Sequence, residues 1–230
     1  VVPQRPVVLT AKALSSMDVL SNGRVLFGVG TGWLREEFDI MQTQAFQDRG
    51  RVTDEFIDGI KRLWSEDDPR YSGDFVKFSN VLFSPKPLSG RIPIWVGGES
   101  NIALRRAVRL GDVWCPGNNN PKWRVDTPER LKGRIDRLHE FAEAEQRDPA
   151  SIGLAYVWFH PVSYEPVPGF DTPRRMFSGN PGDIAADVAT LRDVGVTDTS
   201  IGFAARDASE LNDAMQRFSE DVMPLLERSE

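Results

Sequence analysis

Two glycine-rich stretches, with the polar side chains near them, carry most of the chemistry this sequence can offer. Gly97-Gly98-Glu99-Ser100-Asn101 leaves the apolar run Ile92–Gly97 and enters a helical pattern at once. Amides at a helix start lack intrahelical acceptors and point outward, which makes such a turn a ready anion seat. On that reading backbone N–H groups and the Ser100 hydroxyl hold a phosphate, with the Glu99 carboxylate turned aside toward Arg105. The other reading is a tight turn with Ser100 as helix N-cap. Gly28-Val29-Gly30-Thr31-Gly32-Trp33 resembles a dinucleotide fingerprint but puts Trp where the third glycine belongs. Its glycines either let a strand turn sharply or form a floor that lets a flat ring lie close to backbone, with Trp33 as one wall.

Three further groups deserve weighing. Arg51, in Arg49-Gly50-Arg51 ahead of a helical pattern, can fork onto a phosphate or can be a solvated surface charge. His160 ends an apolar run and is the one candidate acid or base, with a structural histidine as its alternative. No other catalytic residue is assigned. Cys115 stands alone, so neither an intrachain disulfide nor a four-cysteine metal site exists, and no metal ligands are assigned. It reads as a small buried apolar residue unless a nearby charge lowers its pKa.

The elements that must position these groups alternate helix and strand, the pattern of an α/β fold with a parallel sheet. Helices are expected at Val7–Leu20, Val52–Trp64, Asn101–Leu110, Pro128–Glu145, Asp183–Val194 and Ala208–Leu226. In the first, Val7, Val8, Ala11, Leu14, Met17 and Leu20 should face inward. Core strands are expected at Arg24–Gly30, Ile92–Gly97, Asp112–Cys115, Ile152–Phe159 and Thr199–Phe203. The first is read as buried on both faces. A long loop is expected after Gly30, an excursion at 67–90 with a short strand at Phe75–Phe78, and a Pro/Gly loop over 164–181. Ligand sites belong beyond the carboxyl ends of the strands.

Composition narrows the function. The 230 residues include 28 Lys and Arg against 34 Asp and Glu, a net charge of -6. A broad nucleic-acid surface needs a basic field, so it is excluded. Apolar runs are strand-sized, so no membrane span is expected, and a cytoplasmic location is. The start, Val1-Val2-Pro3, carries neither an initiator Met nor a signal pattern, which leads to the expectation of a processed product or a fragment.

Several stretches together resemble one family. Arg5-Pro6-Val7-Val8-Leu9, the run Leu20 through Phe38, Arg49-Gly50-Arg51, Pro93 through Ser100, Ala103 through Ala107, Leu110 through Trp114 and Arg217 through Pro224 are similar to the bacterial luciferase-like monooxygenases. The likeness is greatest to the branch that uses the deazaflavin F420. The resemblance implies a (β/α)8 TIM-barrel-type fold with a flavin or deazaflavin at the strand carboxyl ends. It implies that Gly97, Gly98, Glu99 and Ser100 hold the cofactor phosphate, that Arg51 assists, and that Gly30, Thr31 and Trp33 lie beside the ring. Family members have three strand–helix units before the segment matching Gly23-Arg24-Val25, whereas one helix precedes it here. The expectation is therefore a single partial barrel domain over 1–230, holding strands four to eight. Its edge strands should be Val25–Val29 and Ile201–Phe203, covered by another chain or a rearranged terminal segment and open to homo-oligomer formation.

The expected function is an oxidoreductase using F420, or FMN as the alternative, for hydride transfer or monooxygenation of a small organic substrate. Residues of the 160–180 loop would cover that substrate, and Arg105 and Arg106 are candidates for the anionic tail of F420. The rival is a non-catalytic partial barrel or partner subunit that keeps the phosphate pocket. A phosphate-handling aldolase or isomerase lacks a Schiff-base lysine at a strand end, since Lys77, Lys86 and Lys122 fall in loops or the excursion.

Overall fold

A computed structural model describes residues 1–227 of the chain. It divides into two compact units: residues Val1–Gly98 with Arg105–Trp114, and Glu99–Leu104 with the chain from Cys115 onward.

The first unit holds three parallel strands in chain order, β1 (Phe27–Val29), β4 (Ile94–Gly97) and β5 (Val113–Cys115, whose last residue belongs to the second unit). β1 and β4 pair Phe27 with Ile94 and Val29 with Val96. The Asp112 side chain secures the next strand by accepting from the Ile94 amide at 2.8 Å. Helices α1 (Val7–Ser21) and α3 (Arg49–Ser65) pack on each other, and Phe56 and Trp64 of α3 meet Phe27 of β1 with ring centroids 6.5 and 6.2 Å apart. Phe56, Ile57, Ile60, Leu63 and Trp64 of α3 are all buried, and the Trp64 indole donates to the Ala11 carbonyl at 3.3 Å. Burying one such side chain stabilises by about 1.5–3 kcal/mol, so α3 anchors this unit. The 67–90 excursion carries an antiparallel hairpin, β2 (Tyr71–Ser72) with β3 (Lys77–Phe78). Glu55 of α3 fastens it by accepting from the amides of Asp74, Phe75 and Val76 at 2.8–3.0 Å.

The second unit pairs β6 (Gly153–Pro161) with β7 (Asp198–Gly202) in parallel, Tyr156 opposite Thr199 and Trp158 opposite Ile201. The segment following β5 lies along the other side of β6, where the Val157 amide donates to the Pro116 carbonyl at 2.9 Å. Helix α5 (Pro128–Ala144) buries Leu131, Ile135, Leu138 and Phe141, the stripe its spacing predicts. Its Thr127 cap accepts from the Arg130 amide. Helix α6 (Pro181–Asp193) starts from a reciprocal capping box between Asn180 and Asp183. Helices α7 (Ala208–Asp221) and α8 (Met223–Glu227) close the described chain.

Five parallel strands therefore match the five expected, and β1 and β7 end the strand order of their units. Several local expectations change. Helix α1 buries Ala11, Leu14, Ser15 and Asp18, while Leu20 is 87% exposed and Met17 is also exposed. The reason is Asp18, which points inward and accepts from the Leu88 amide at 3.0 Å, rotating the buried face. β1 is shorter than expected and only one face is buried, with Gly28 and Leu26 exposed. The stretch after Gly30 is not one loop: helix α2 (Arg35–Met41) begins five residues after Gly30, and a short 3-10 turn at Phe46–Asp48 leads into α3. Helix α3 itself starts at Arg49, so Arg51 lies in its first turn. The closing helix breaks at Val222 into α7 and α8. The 164–181 segment is loop as expected but well fastened. Arg174 forks onto Asp187 at 2.6 and 2.8 Å, the Phe177 amide donates to Asp187, and Arg124 and Arg130 of the same unit hold Asp171.

Candidate functional site

The chain leaves β4 through Gly97 and Gly98. Gly98 has φ +104, a conformation a side chain resists, and its carbonyl accepts from the Trp114 indole at 2.9 Å. Helix α4 (Asn101–Leu110) follows within three residues. Ser100 caps it, its Oγ accepting from the Ala103 amide at 3.2 Å and its carbonyl from the Leu104 amide at 3.0 Å. The amides of Asn101 and Ile102 precede the first intrahelical bond and remain the donors of this helix start. The N-cap and anion-seat readings are compatible: one side-chain bond to the third amide leaves the first two facing outward.

Glu99 decides the electrostatics. It is buried, and it does not turn toward Arg105 as expected. Its Oε1 accepts from the Gly117 amide and its Oε2 from the Asn120 side-chain amide, both at 2.8 Å. Asn120 in turn accepts from the amides of Lys122 and Trp123. The carboxylate that would repel a phosphate is thus spent on ordering residues 117–123.

Arg134, on α5, was not singled out by sequence. Its Nη2 donates to the Glu99 carbonyl at 2.7 Å and to the Asn101 side chain at 2.9 Å. Its guanidinium lies over the Trp123 ring, 4.7 Å from the centroid. Burial, with Arg137 nearby, pulls its pKa below the usual arginine value, Glu99 opposing. Only its contact with a helix start three dozen residues upstream distinguishes it from other helix arginines, and no local pattern announces that.

In the first unit, Gly30 and Gly32 are backed by the chain's own beginning. The Val2 amide donates to the Gly30 carbonyl at 3.1 Å. Gly32 has φ +80, and a Cβ there would sit 2.8 Å from Phe38 and 2.9 Å from Val1. Val1 and Val2 thus lie against the stretch that follows β1. Thr31 is half-buried, whereas Trp33 is 82% exposed. Arg49 rather than Arg51 reaches this stretch: its Nε donates to the Gly32 carbonyl at 3.2 Å, and its guanidinium sits 3.9 Å over the Phe46 ring. Arg51 is exposed, paired with Asp74 and 3.7 Å from Asp48. Arg106 is buried against Asp54 at 2.5 Å and the Gly50 carbonyl at 3.1 Å, so it cannot serve an anionic tail as expected.

His160, in the second unit, is exposed near the end of β6, edge-on to Trp158. Desolvation first, then Arg175, lower its pKa, with Asp126 opposing. Cys115 is half-buried, and burial with Asp198 and Glu99 pushes its thiol up to about 11, the setting of an unreactive cysteine. Among the described residues no group of His, Cys, Asp or Glu could hold a metal ion, and no helix is long and apolar enough to cross a membrane.

Comparison with known proteins identifies the family and the fold. The luciferase-like monooxygenase profile matches residues 1–166. The FMNH(2)-dependent dimethylsulfone monooxygenase of Pseudomonas fluorescens (strain Pf0-1) is 35% identical over 154 residues, 66% of this chain and 40% of that protein. An uncharacterized protein of Mycobacterium tuberculosis (strain ATCC 25618 / H37Rv) is 33% identical over 201 residues, 87% of this chain and 59% of its own. The chain thus spans about half the length of these relatives. Among solved structures, an F420-dependent secondary alcohol dehydrogenase superposes with a TM-score of 0.77 at 17% identity, over 96% of this chain and 75% of that one. The EDTA monooxygenase of Chelativorans sp. BNC1 gives 0.74 at 14%, over 98% and 71%. The five parallel strands are those of a luciferase-like TIM-barrel fold.

Proposed function

The chain belongs to the luciferase-like monooxygenase family, and on that premise we propose that it is a flavin- or deazaflavin-dependent oxidoreductase acting on a small organic substrate. The observation that carries this reading is the turn from β4 into α4. Gly98 at positive φ, a Ser100 cap that leaves two outward amides, and a carboxylate turned away fit a phosphate monoester or diester. FMN and F420 both carry such a group. The relative named as FMNH(2)-dependent supports FMN, and the F420-dependent structural neighbour keeps F420 in play through the fold alone.

The bound cofactor would supply the redox chemistry, by hydride transfer or by activation of oxygen. The protein's part is to bind and orient. Gly97, Gly98 and the start of α4, with Ser100, would hold the phosphate, and Glu99 would keep residues 117–123 in shape. Gly30, Thr31 and Trp33 would line the ring, and the exposure of Trp33 leaves it free to close on one. Arg51 would join the phosphate only by leaving Asp74. His160 would accept a proton in its neutral form, and the fastened 164–181 segment would shape the substrate side.

The test is a titration of the purified chain with FMN, FMNH2 and F420. A spectral change and a rise in melting temperature are expected, the latter worth about 2.7 kcal/mol at a hundredfold excess over Kd. No change with any of the three would overturn the reading. A second reading, a cofactor-holding subunit without turnover, is favoured by the exposure of β7, where Asp198, Ser200 and Gly202 are open to solvent. An exposed terminal strand invites pairing with a second copy or another chain. Binding without turnover, together with concentration-dependent assembly, would support it.

A further inference from the structure

Arg134 is a cation at the positive end of α4, which is an unfavourable place for one. The macrodipole puts about half a positive charge at a helix start, and Arg134 is held there by the Glu99 carbonyl and the Asn101 side chain. Arg134 forms no salt bridge among the described residues. The carboxylate whose charge acts on it, Glu99, already spends both oxygens on Gly117 and Asn120.

A second observation points the same way. The Nε of Arg134 is buried and has no hydrogen-bond partner. A guanidinium with an unpartnered nitrogen and no salt bridge among the described residues, beside a helix start whose first amides lack intrahelical acceptors, is a place that an acceptor-rich anion would complete.

We propose that Arg134 is a phosphate-binding residue of this site, its guanidinium adding the cation that the amides of Asn101 and Ile102 lack. The proposal rests on the cofactor reading above but names a residue that reading does not require. Arg134 both fixes the first turn of α4 through Nη2 and offers Nη1, which makes no hydrogen bond among the described residues, to the ligand. The Trp123 face beneath it keeps the guanidinium plane from swinging away.

Paired ligands that differ by the phosphate test it. FMN against riboflavin, and F420 against its phosphate-free deazariboflavin core, are titrated into the wild-type chain, Arg134→Gln and Arg134→Lys. Arg134→Gln should weaken the phosphate-bearing member at least tenfold and change its partner less than twofold. Arg134→Lys should fall between, because a point charge replaces the fork. Melting curves of the ligand-free variants show whether each is folded. If Arg134→Gln is unstable, Arg134→Lys carries the decision by the same ratio. A folded variant that keeps the wild-type preference for phosphate overturns the proposal while leaving the cofactor reading standing. A wild-type chain that binds neither pair overturns both.

Discussion

The chain has two glycine-rich strand exits, and they are built differently. At the exit of β4, Gly98 is held at positive φ, Glu99 is buried with both oxygens engaged, and Ser100 caps a ten-residue helix. At the exit of β1, Gly30 has ordinary backbone and open space where a Cβ would go, and Trp33 stands in solvent. Only Gly32 is constrained there, by Phe38 and Val1. Glycine content alone does not distinguish these stretches. The difference is made by a buried carboxylate in one of them, which organises a neighbouring loop and leaves amide donors to face a ligand.

Substitutions can break or sharpen that contrast. The largest effect is expected from Glu99→Ala, which strands the Gly117 amide and the Asn120 side chain in a buried setting. It should destabilise by about 3 kcal/mol in urea unfolding, and a change below about 1 kcal/mol would mean the carboxylate does not organise the loop. Gly98→Ala comes next. The φ of +104 should make it destabilising by about 1–2 kcal/mol, with cofactor affinity falling alongside in the same titrations. Gly30→Ala and Trp33→Ala should each stay within about 0.5 kcal/mol of wild type. If Trp33 closes on a ring, its loss will weaken riboflavin and FMN equally, the opposite of the pattern expected at the β4 exit.

The smallest effect concerns pH. Hydrogen bonds from Arg130 and Arg124 hold the Asp171 carboxyl down to about 2. A carboxyl depressed in the folded state contributes stability that is fully present above its unfolded value of about 3.9, and that is lost as pH falls through the folded one. Asp171→Asn should therefore flatten the acid limb of the stability curve between about pH 4 and 2 and lower stability at pH 7 by the same amount, a small one because the pair is exposed. Thermal melts across that range check it, and an unchanged acid limb would remove Asp171 from the fastening of the 164–181 loop.

Much of this was legible in the chain. Element identity and order follow from local periodicity, which is why α5 and its Leu131, Ile135, Leu138, Phe141 stripe match expectation. The end of α1 is equally local, with Asn22 at φ 57, a conformation that Asn and Gly tolerate. Long-range polar bonds were not. Asp18 reoriented α1 through Leu88, seventy residues away, and Arg49 rather than Arg51 reached Gly32.

By itself the sequence determined the alternation of helix and strand, the family, and the turn that meets α4, because these rest on spacing and on glycine's backbone freedom. The tertiary structure decided which charges serve that turn. Arg106 went to Asp54, Arg51 to Asp74 and Glu99 to residues 117–120, leaving Arg134 at the helix start. A charged side chain can take many partners, and its choice depends on which desolvated groups folding brings within hydrogen-bond reach.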